Sequence, residues 1–297
     1  MERTTGRNPA SVYADKILDE IFYALGVSKT GVWRRLLVPF FRPPAGRFGR
    51  LMARADQEVG FSGLSGGCRA ILTDLSLNVS ARGVDNIPLE GPLLVVSNHP
   101  GAYDSIAIMS CIRRNDLKVI ISDVAFTRAL SNAGRYFIYV ASDGGGGADA
   151  LWASINHLKR GGSLLVFAHG DVEPDPELGP DARESIQDWS RSMEVMLRKV
   201  PETTLQVTIS SGVLMSRFTR SPIVKIRKTE VKRQKLAEVL QVCQQMVFPR
   251  SIRTNVHVSF AKPVKGKDFA GQDLMPAVIK IARRLLEEHM ASLNSAP

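Results

Sequence analysis

The sequence predicts an α/β fold: a mostly parallel central sheet flanked by helices on both faces, with an N-terminal helical extension. From about residue 92 onward, short apolar runs of strand length alternate with amphipathic stretches of helical period. Before residue 77 that alternation is missing, and apolar and basic residues mix instead. Repeated strand and helix alternation points to a parallel sheet, because each crossover helix lies on a face of the sheet and covers it.

In chain order, residues 1–76 read as a helical region. There Trp33, Leu36, Leu37, Val38, Phe40 and Phe41 are interleaved with Arg34, Arg35, Arg42, Arg47, Arg50 and Arg54. Such mixing suits a lipid interface, where rings sit at headgroup depth and guanidinium groups meet lipid phosphates. It equally suits a helical pair that packs its apolar face on the main domain and turns its arginines to water. The region 77–297 carries the strands LLVVS (93–97), LKVIIS (117–122), YFIYVA (136–141), SLLVFA (163–168) and LQVTIS (205–210). Helical patterns begin between them near Ser105, Val124, Ala148 and Arg183. A helix over 229–247, an alternating strand over 253–261 and a closing helix over 274–292 extend the same core.

With 44% hydrophobic and 23% charged residues, the chain can bury a full core and is too balanced to be disordered. Cys68, Cys111 and Cys243 are odd in number and widely spaced, which suggests neither a disulfide framework nor a thiolate zinc site and points to a reducing compartment. No run approaches the ~20 apolar residues of a spanning helix. The start MERTTGRNPA also lacks the apolar core of a secretory signal, so a cytoplasmic protein, peripheral on the inner face of the membrane, is expected. A net charge of +10 favours an anionic partner: a membrane surface, a phosphate-bearing substrate or nucleic acid.

The chemistry concentrates in LLVVSNHPGAYDSIAIMSCI, where a buried strand ends at Ser97-Asn98 and an apolar helix starts near Ser105. His99 and Asp104 fall in the connection at the carboxyl end of the strand, the edge at which open α/β sheets bind ligands. At this spacing the carboxylate can hold Nδ1 of the ring, leaving Nε2 to take a proton from a hydroxyl. An alcohol so activated can attack a thioester carbonyl directly, with N–H groups of the loop or helix start stabilising the oxyanion. Alternatively, Asp104 caps the helix and His99 is a loop histidine; capping and catalysis are compatible.

The run NHPGAYDS, after a strand and opening a helix, resembles the NHxxxxD motif of the glycerolipid acyltransferase family, which includes 1-acylglycerol-3-phosphate acyltransferases. The resemblance spans roughly residues 77 to 215. It implies His99 as general base and Asp104 as its orienting partner, moving a fatty acyl group from acyl-CoA or an acyl carrier protein thioester to a lipid hydroxyl in phospholipid synthesis, with no tightly bound cofactor. GRYFIYV (134–140) resembles the second motif of the family and FAHGDVEP (167–174) the third. Asn98, Gly101, Gly134, Phe137, Phe167, Gly170 and Glu173 are then the candidate substrate-binding positions. The second motif commonly ends in a basic residue where this chain has Val140, and the third commonly reads FPEGTRS, which leaves Val172 at the arginine position. An arginine would grip a phosphate bidentately and a valine cannot. Either Arg135, Arg183 or Arg217 substitutes from another direction, or the acceptor is not glycerol 3-phosphate or its acylated form.

Other signals are weaker. His169, Asp171, Glu173, Asp175 and Glu177 alternate possible ligands for a divalent cation, but Pro174, Pro176 and Pro180 imply a turning, acidic surface loop, and no metal is expected. Gly144 to Gly147, in SDGGGGAD (142–149), match no phosphate-loop spacing and read as a flexible connection, at most a lid. Lys225, Arg227, Lys228, Lys232, Arg233 and Lys235 lack interleaved aromatics, so anionic lipid or coenzyme A phosphates suit them better than nucleic acid. His157, His257 and His289 have no second ligand nearby and receive no role. Besides transfer chemistry, a non-catalytic lipid-binding relative and a metal-dependent hydrolase are the remaining alternatives.

Overall fold

The structure, a computed structural model, describes residues 8–28, 30–141, 145–248, 251–252 and 254–295. In chain order its main elements are α1 (Pro9–Ala24), α2 (Val32–Asp74), β1 (Asn78–Arg82), β2 (Leu93–Ser97), α3 (Ala102–Cys111), β3 (Leu117–Ser122), β4 (Phe137–Val140), α4 (Gly147–Lys159), β5 (Ser163–Phe167), α5 (Ser192–Lys199), β6 (Thr204–Ser211), α6 (Glu230–Val247), β7 (Asn255–Phe260), β8 (Val264–Lys265) and α7 (Leu274–Asn294). They form two compact units. One contains the sheet and consists of Asn78–Asp123, Tyr136–Val213 and Asn255–Pro297; the other is helical and consists of Met1–Leu77, Val124–Arg135 and Leu214–Thr254.

The sheet unit has the strand order β1-β7-β6-β2-β5-β3-β4, with β8 added against β6. All pairings are parallel except those of β6 with β7 and β8. The α/β class is as the alternation predicts. Every residue of β2 is buried, as a strand covered on both faces requires. In register, Leu94 lies beside Leu164 and Leu205, and Val96 beside Val166 and Val207. This row packs against Leu158 of α4, Met193, Met196 and Leu197 of α5, and Val278, Ala282 and Leu285 of α7. Leu93, Val95 and Leu165 alternate to the opposite face, where they are fully buried; α3 packs against β6 and β7.

Two strands of this unit were not legible in the pattern, and the helical pattern read from near Arg183 is split into a single turn at Ala182–Ser185 and α5. β1, NVSAR, is an edge strand of small and polar residues with no fully buried position, so it shows no apolar run. β8 has only two residues. In α5, Met193, Met196 and Leu197 supply a short apolar face, and Glu194 bridges Arg191 and Arg198 at 2.8 Å each.

In the helical unit, Asn8 caps α1 by accepting the N–H of Ala10 at 3.0 Å, with Pro9 in the first turn. α2 runs through Pro39, Pro43 and Pro44 and is kinked at Gly63, whose φ is +71°. A Cβ at Gly49 would lie 2.3 Å from the Ala10 carbonyl oxygen and 2.8 Å from the Ala14 nitrogen, so α1 and α2 meet at a separation that requires glycine. Leu18, Ile21 and Phe22 of α1 pack with Leu37, Val38, Phe41 and Ala45 of α2 and with Val239 and Cys243 of α6. The apolar side of the first helices is thus covered within this unit. Trp33, Leu36 and Phe40 point outward instead, at 71%, 57% and 75% exposure.

The sequence pattern places 124–135 and 214–254 with the strands; the contacts group them with residues 1–77. Long-range polar bonds explain this. The buried carboxylate of Asp56 accepts the N–H groups of Asn132 at 3.1 Å and Ala133 at 2.8 Å. Gln245 donates to the Leu75 carbonyl at 2.9 Å, and Arg47 donates to the carbonyls of Met246 and Val247 at 2.7 and 2.6 Å, closing the C-terminus of α6. Among the described residues, no helix is long and apolar enough to cross a membrane.

Candidate active site at the carboxyl edge of the sheet

β2 and β5 run parallel as neighbours, and the loops after them meet at their carboxyl ends. Asn98, the first residue after β2, is buried and fixes this loop to β6: its amide donates to the Ser210 carbonyl at 2.9 Å, and its oxygen accepts the Ser210 N–H at 2.8 Å. The N–H of Ala168, after β5, donates to the Ser97 carbonyl at 2.9 Å.

His99 projects from this anchored loop. Its Nδ1 lies 2.9 Å from Oδ2 of Asp104, whose side chain is wholly buried while that of His99 is 25% exposed. A carboxylate only accepts hydrogen bonds, so Nδ1 carries the proton and Nε2 the lone pair. The ring stacks on Phe167 of β5 with centroids 4.2 Å apart, which fixes its plane. α3 begins at Ala102, so Asp104 lies in its first turn rather than ahead of the helix. Its carboxylate also accepts the N–H of Gly101 at 3.2 Å and that of Ser105. One side chain therefore caps the helix and holds the imidazole.

After β5 the chain turns at Gly170, which has φ +85° and donates to the Phe167 carbonyl at 3.1 Å. A side chain is disfavoured there by backbone conformation rather than by crowding. The following segment crosses the His99 loop. Glu173 N–H donates to the His99 carbonyl at 2.8 Å, and Oε2 of Glu173 accepts the His99 N–H at 2.9 Å. Oε1 accepts Ser185 Oγ and Trp189 Nε1, each at 3.0 Å. Burial pushes the Glu173 carboxyl above its ordinary range, opposed by the Trp189 N–H, the nearby His169, the Ser185 hydroxyl and the His99 N–H.

The acidic segment is not the surface loop its composition suggests. Glu173 and Asp175 are buried. Asp175 accepts the N–H groups of Gly212 at 3.1 Å, Val213 at 2.8 Å and Glu177 at 3.0 Å, and Glu177 accepts the Ser211 hydroxyl at 2.7 Å. These carboxylates staple the segment to the end of β6. Among the described residues, no group of three or more His, Cys, Asp or Glu side chains is placed to hold a metal ion. Nδ1 of His169 is buried and has no hydrogen-bond partner among them.

Asn98, His99, Gly101, Asp104, Phe167 and Glu173 therefore come together, with Gly170 turning the chain beside them. Phe137 is half-buried on β4, edge-on to Tyr139 at 6.1 Å, and Gly134 belongs to the helical unit. Val172 is buried and Val140 half-buried. Arg183 pairs with Glu287 at 2.7 Å, Arg135 donates to Asn132, and Arg217 lies over the Phe218 ring at 4.9 Å. Residues 142–144 of the glycine-rich loop lie outside the described residues; its last residues, Gly147 to Asp149, form the first turn of α4 rather than a loop. The partners that hold the site, Ser185, Trp189 and Ser210, carry no motif and emerge only from the fold.

No protein-family model matches the chain, and no curated protein matches it in sequence. It is similar to a solved structure, the 1-acyl-sn-glycerophosphate (LPA) acyltransferase PlsC from Thermotoga maritima, with 16% identity and a TM-score of 0.49, over 97% of this chain and 92% of that one.

Proposed function

We propose that this chain is an acyltransferase that moves a fatty acyl group from a thioester, carried by coenzyme A or an acyl carrier protein, to a lipid hydroxyl. What carries this reading is the 2.9 Å bond between Nδ1 of His99 and the buried Asp104, made beside a partly exposed ring at the carboxyl edge of the sheet. Nε2 of His99 takes the acceptor hydroxyl proton as the oxygen attacks the thioester carbonyl carbon. Asp104 stabilises the imidazolium that forms. Collapse breaks the carbon–sulfur bond, and the thiolate leaves with the proton held by His99. The products are an ester and a free thiol, with no covalent enzyme intermediate.

The acceptor comes from a membrane surface in this proposal. Trp33, Leu36 and Phe40 share one exposed face of α2, and the net charge of +10 favours anionic lipid, which suits a peripheral protein on the inner face of the membrane. The metal-dependent alternative loses support because Glu173, Asp175 and Glu177 are already bonded to protein N–H and O–H groups.

Thiol release from palmitoyl coenzyme A, measured with lysophospholipids, glycerol 3-phosphate and neutral lipid alcohols, tests the proposal. Acceptor-dependent release that His99→Ala abolishes in a folded protein supports it. Equal turnover in the folded variant refutes the role of His99. Liposome binding without release from either thioester donor would favour the non-catalytic relative.

A further inference from the structure

We infer that Glu173 is a positioning residue that holds the backbone of His99 while Asp104 holds its ring; this rests on the acyltransferase reading above. The inference moves Glu173 away from substrate contact, the role that resemblance implies for it.

The geometry is a two-way link. The Glu173 main chain donates to the His99 carbonyl at 2.8 Å, and its side chain accepts the His99 N–H at 2.9 Å. His99 is thus bound through both of its own backbone polar groups to one residue 74 positions away. The second carboxylate oxygen is fixed by Ser185 and by the indole N–H of buried Trp189, each at 3.0 Å. A buried carboxylate is costly unless its lone pairs are met, and here three donors meet them. The carboxylate therefore transmits the position of the 185–189 segment to the main chain of the base. Asp104 sets the direction of the ring and Asn98 ties the preceding residue to β6, whereas Glu173 meets the main-chain N–H and C=O of His99 itself.

Glutamine at 173 keeps the shape but offers one oxygen. It can accept from His99 or from the Ser185 and Trp189 pair, and in either case its amide N–H groups face other donors. A displacement near 1 Å costs about 100-fold in rate when the reacting groups must be aligned. Glu173→Gln should therefore lower kcat by about 100-fold with the KM for acceptor unchanged. NMR should also show the Nδ1 proton of His99, which the Asp104 bond protects in the wild type, exchanging faster or shifting.

The NMR arm needs no turnover, so it decides the positioning role even if the chain transfers no acyl group. A folded Glu173→Gln protein with an unchanged His99 Nδ1 signal overturns the inference. So does a raised acceptor KM at unchanged kcat, which would return Glu173 to substrate contact. If Glu173→Gln does not fold, Trp189→Phe removes a single donor. A folded Trp189→Phe protein with wild-type His99 signal and kcat overturns the inference equally, whereas a shifted signal with lowered kcat supports it.

Discussion

Asp104→Asn is the substitution whose outcome the site geometry defines best, because it keeps volume and removes one acceptor. Oδ2 accepts Nδ1 of His99 at 2.9 Å and the Gly101 N–H at 3.2 Å, and Oδ1 accepts the Ser105 N–H. Asparagine must set its amide nitrogen toward one side. Toward Ser105 it leaves a first-turn N–H unmatched, which costs about 1–3 kcal/mol of stability. Toward His99 it forces Nδ1 to accept and puts the proton on Nε2, which then cannot serve as base. Even the favourable orientation replaces an ionic partner of the imidazolium with a neutral one. A bond to a charged group is worth about 1.5–3 kcal/mol, which corresponds to about 10- to 100-fold in rate. Loss of kcat should therefore be at least 10-fold and reach about 10^4-fold if the wrong tautomer prevails. Thiol release under saturating acceptor measures this. A folded Asp104→Asn protein with kcat within about threefold of wild type would refute the two-residue relay.

Three other outcomes follow from the packing. Burial pushes His289 down to about 4, aided by nearby His257 and Arg82, while its ring nitrogens lie 2.8 Å from the hydroxyls of Ser211 and Ser259. Its folded pKa lies below its unfolded value, so the unfolded chain binds the extra proton. Stability should therefore hold above about pH 6.5 and fall by on the order of 3 kcal/mol towards pH 4; NMR detection of His289 titrating near 6.5 in the native protein would contradict this. Gly49→Val should destabilise the helical unit by about 1–3 kcal/mol, because the added atoms meet the α1 backbone; an unchanged denaturation midpoint would show that α1 can move away freely. The triple variant Trp33→Ser, Leu36→Ser, Phe40→Ser should keep its fold and lose association with anionic liposomes in flotation assays, and undiminished binding would move the docking surface elsewhere.

The sheet was legible where its strands are continuously apolar, as in LLVVS and SLLVF, because burial on both faces leaves no room for alternation. It was not legible in NVSAR, an edge strand whose pairing with β7 depends on backbone bonds. The bond between His99 and Asp104 could be read from spacing because the two residues are close in the chain. Their support could not, since Glu173, Trp189 and Ser210 reach the loop across the fold. The acidic run misled for a related reason. Charge and proline suggest exposure, yet the chain crosses backbone N–H groups at 212 and 213 that need acceptors, and Asp175 turns inward to meet them.

The placement of β1 and β7 also bears on how the protein is made. Asn78 pairs with Asn255, 177 positions later, and β7 stands between β1 and the rest of the sheet. At about 5–20 residues per second, a ribosome needs roughly 9 to 35 seconds to supply that partner. Throughout that interval β1 lacks the strand it pairs with in the fold. Its polar and small side chains, Asn78, Ser80 and Arg82 among them, make it a poor template for other strands while it waits. The weak strand signal of NVSAR thus also protects the nascent chain.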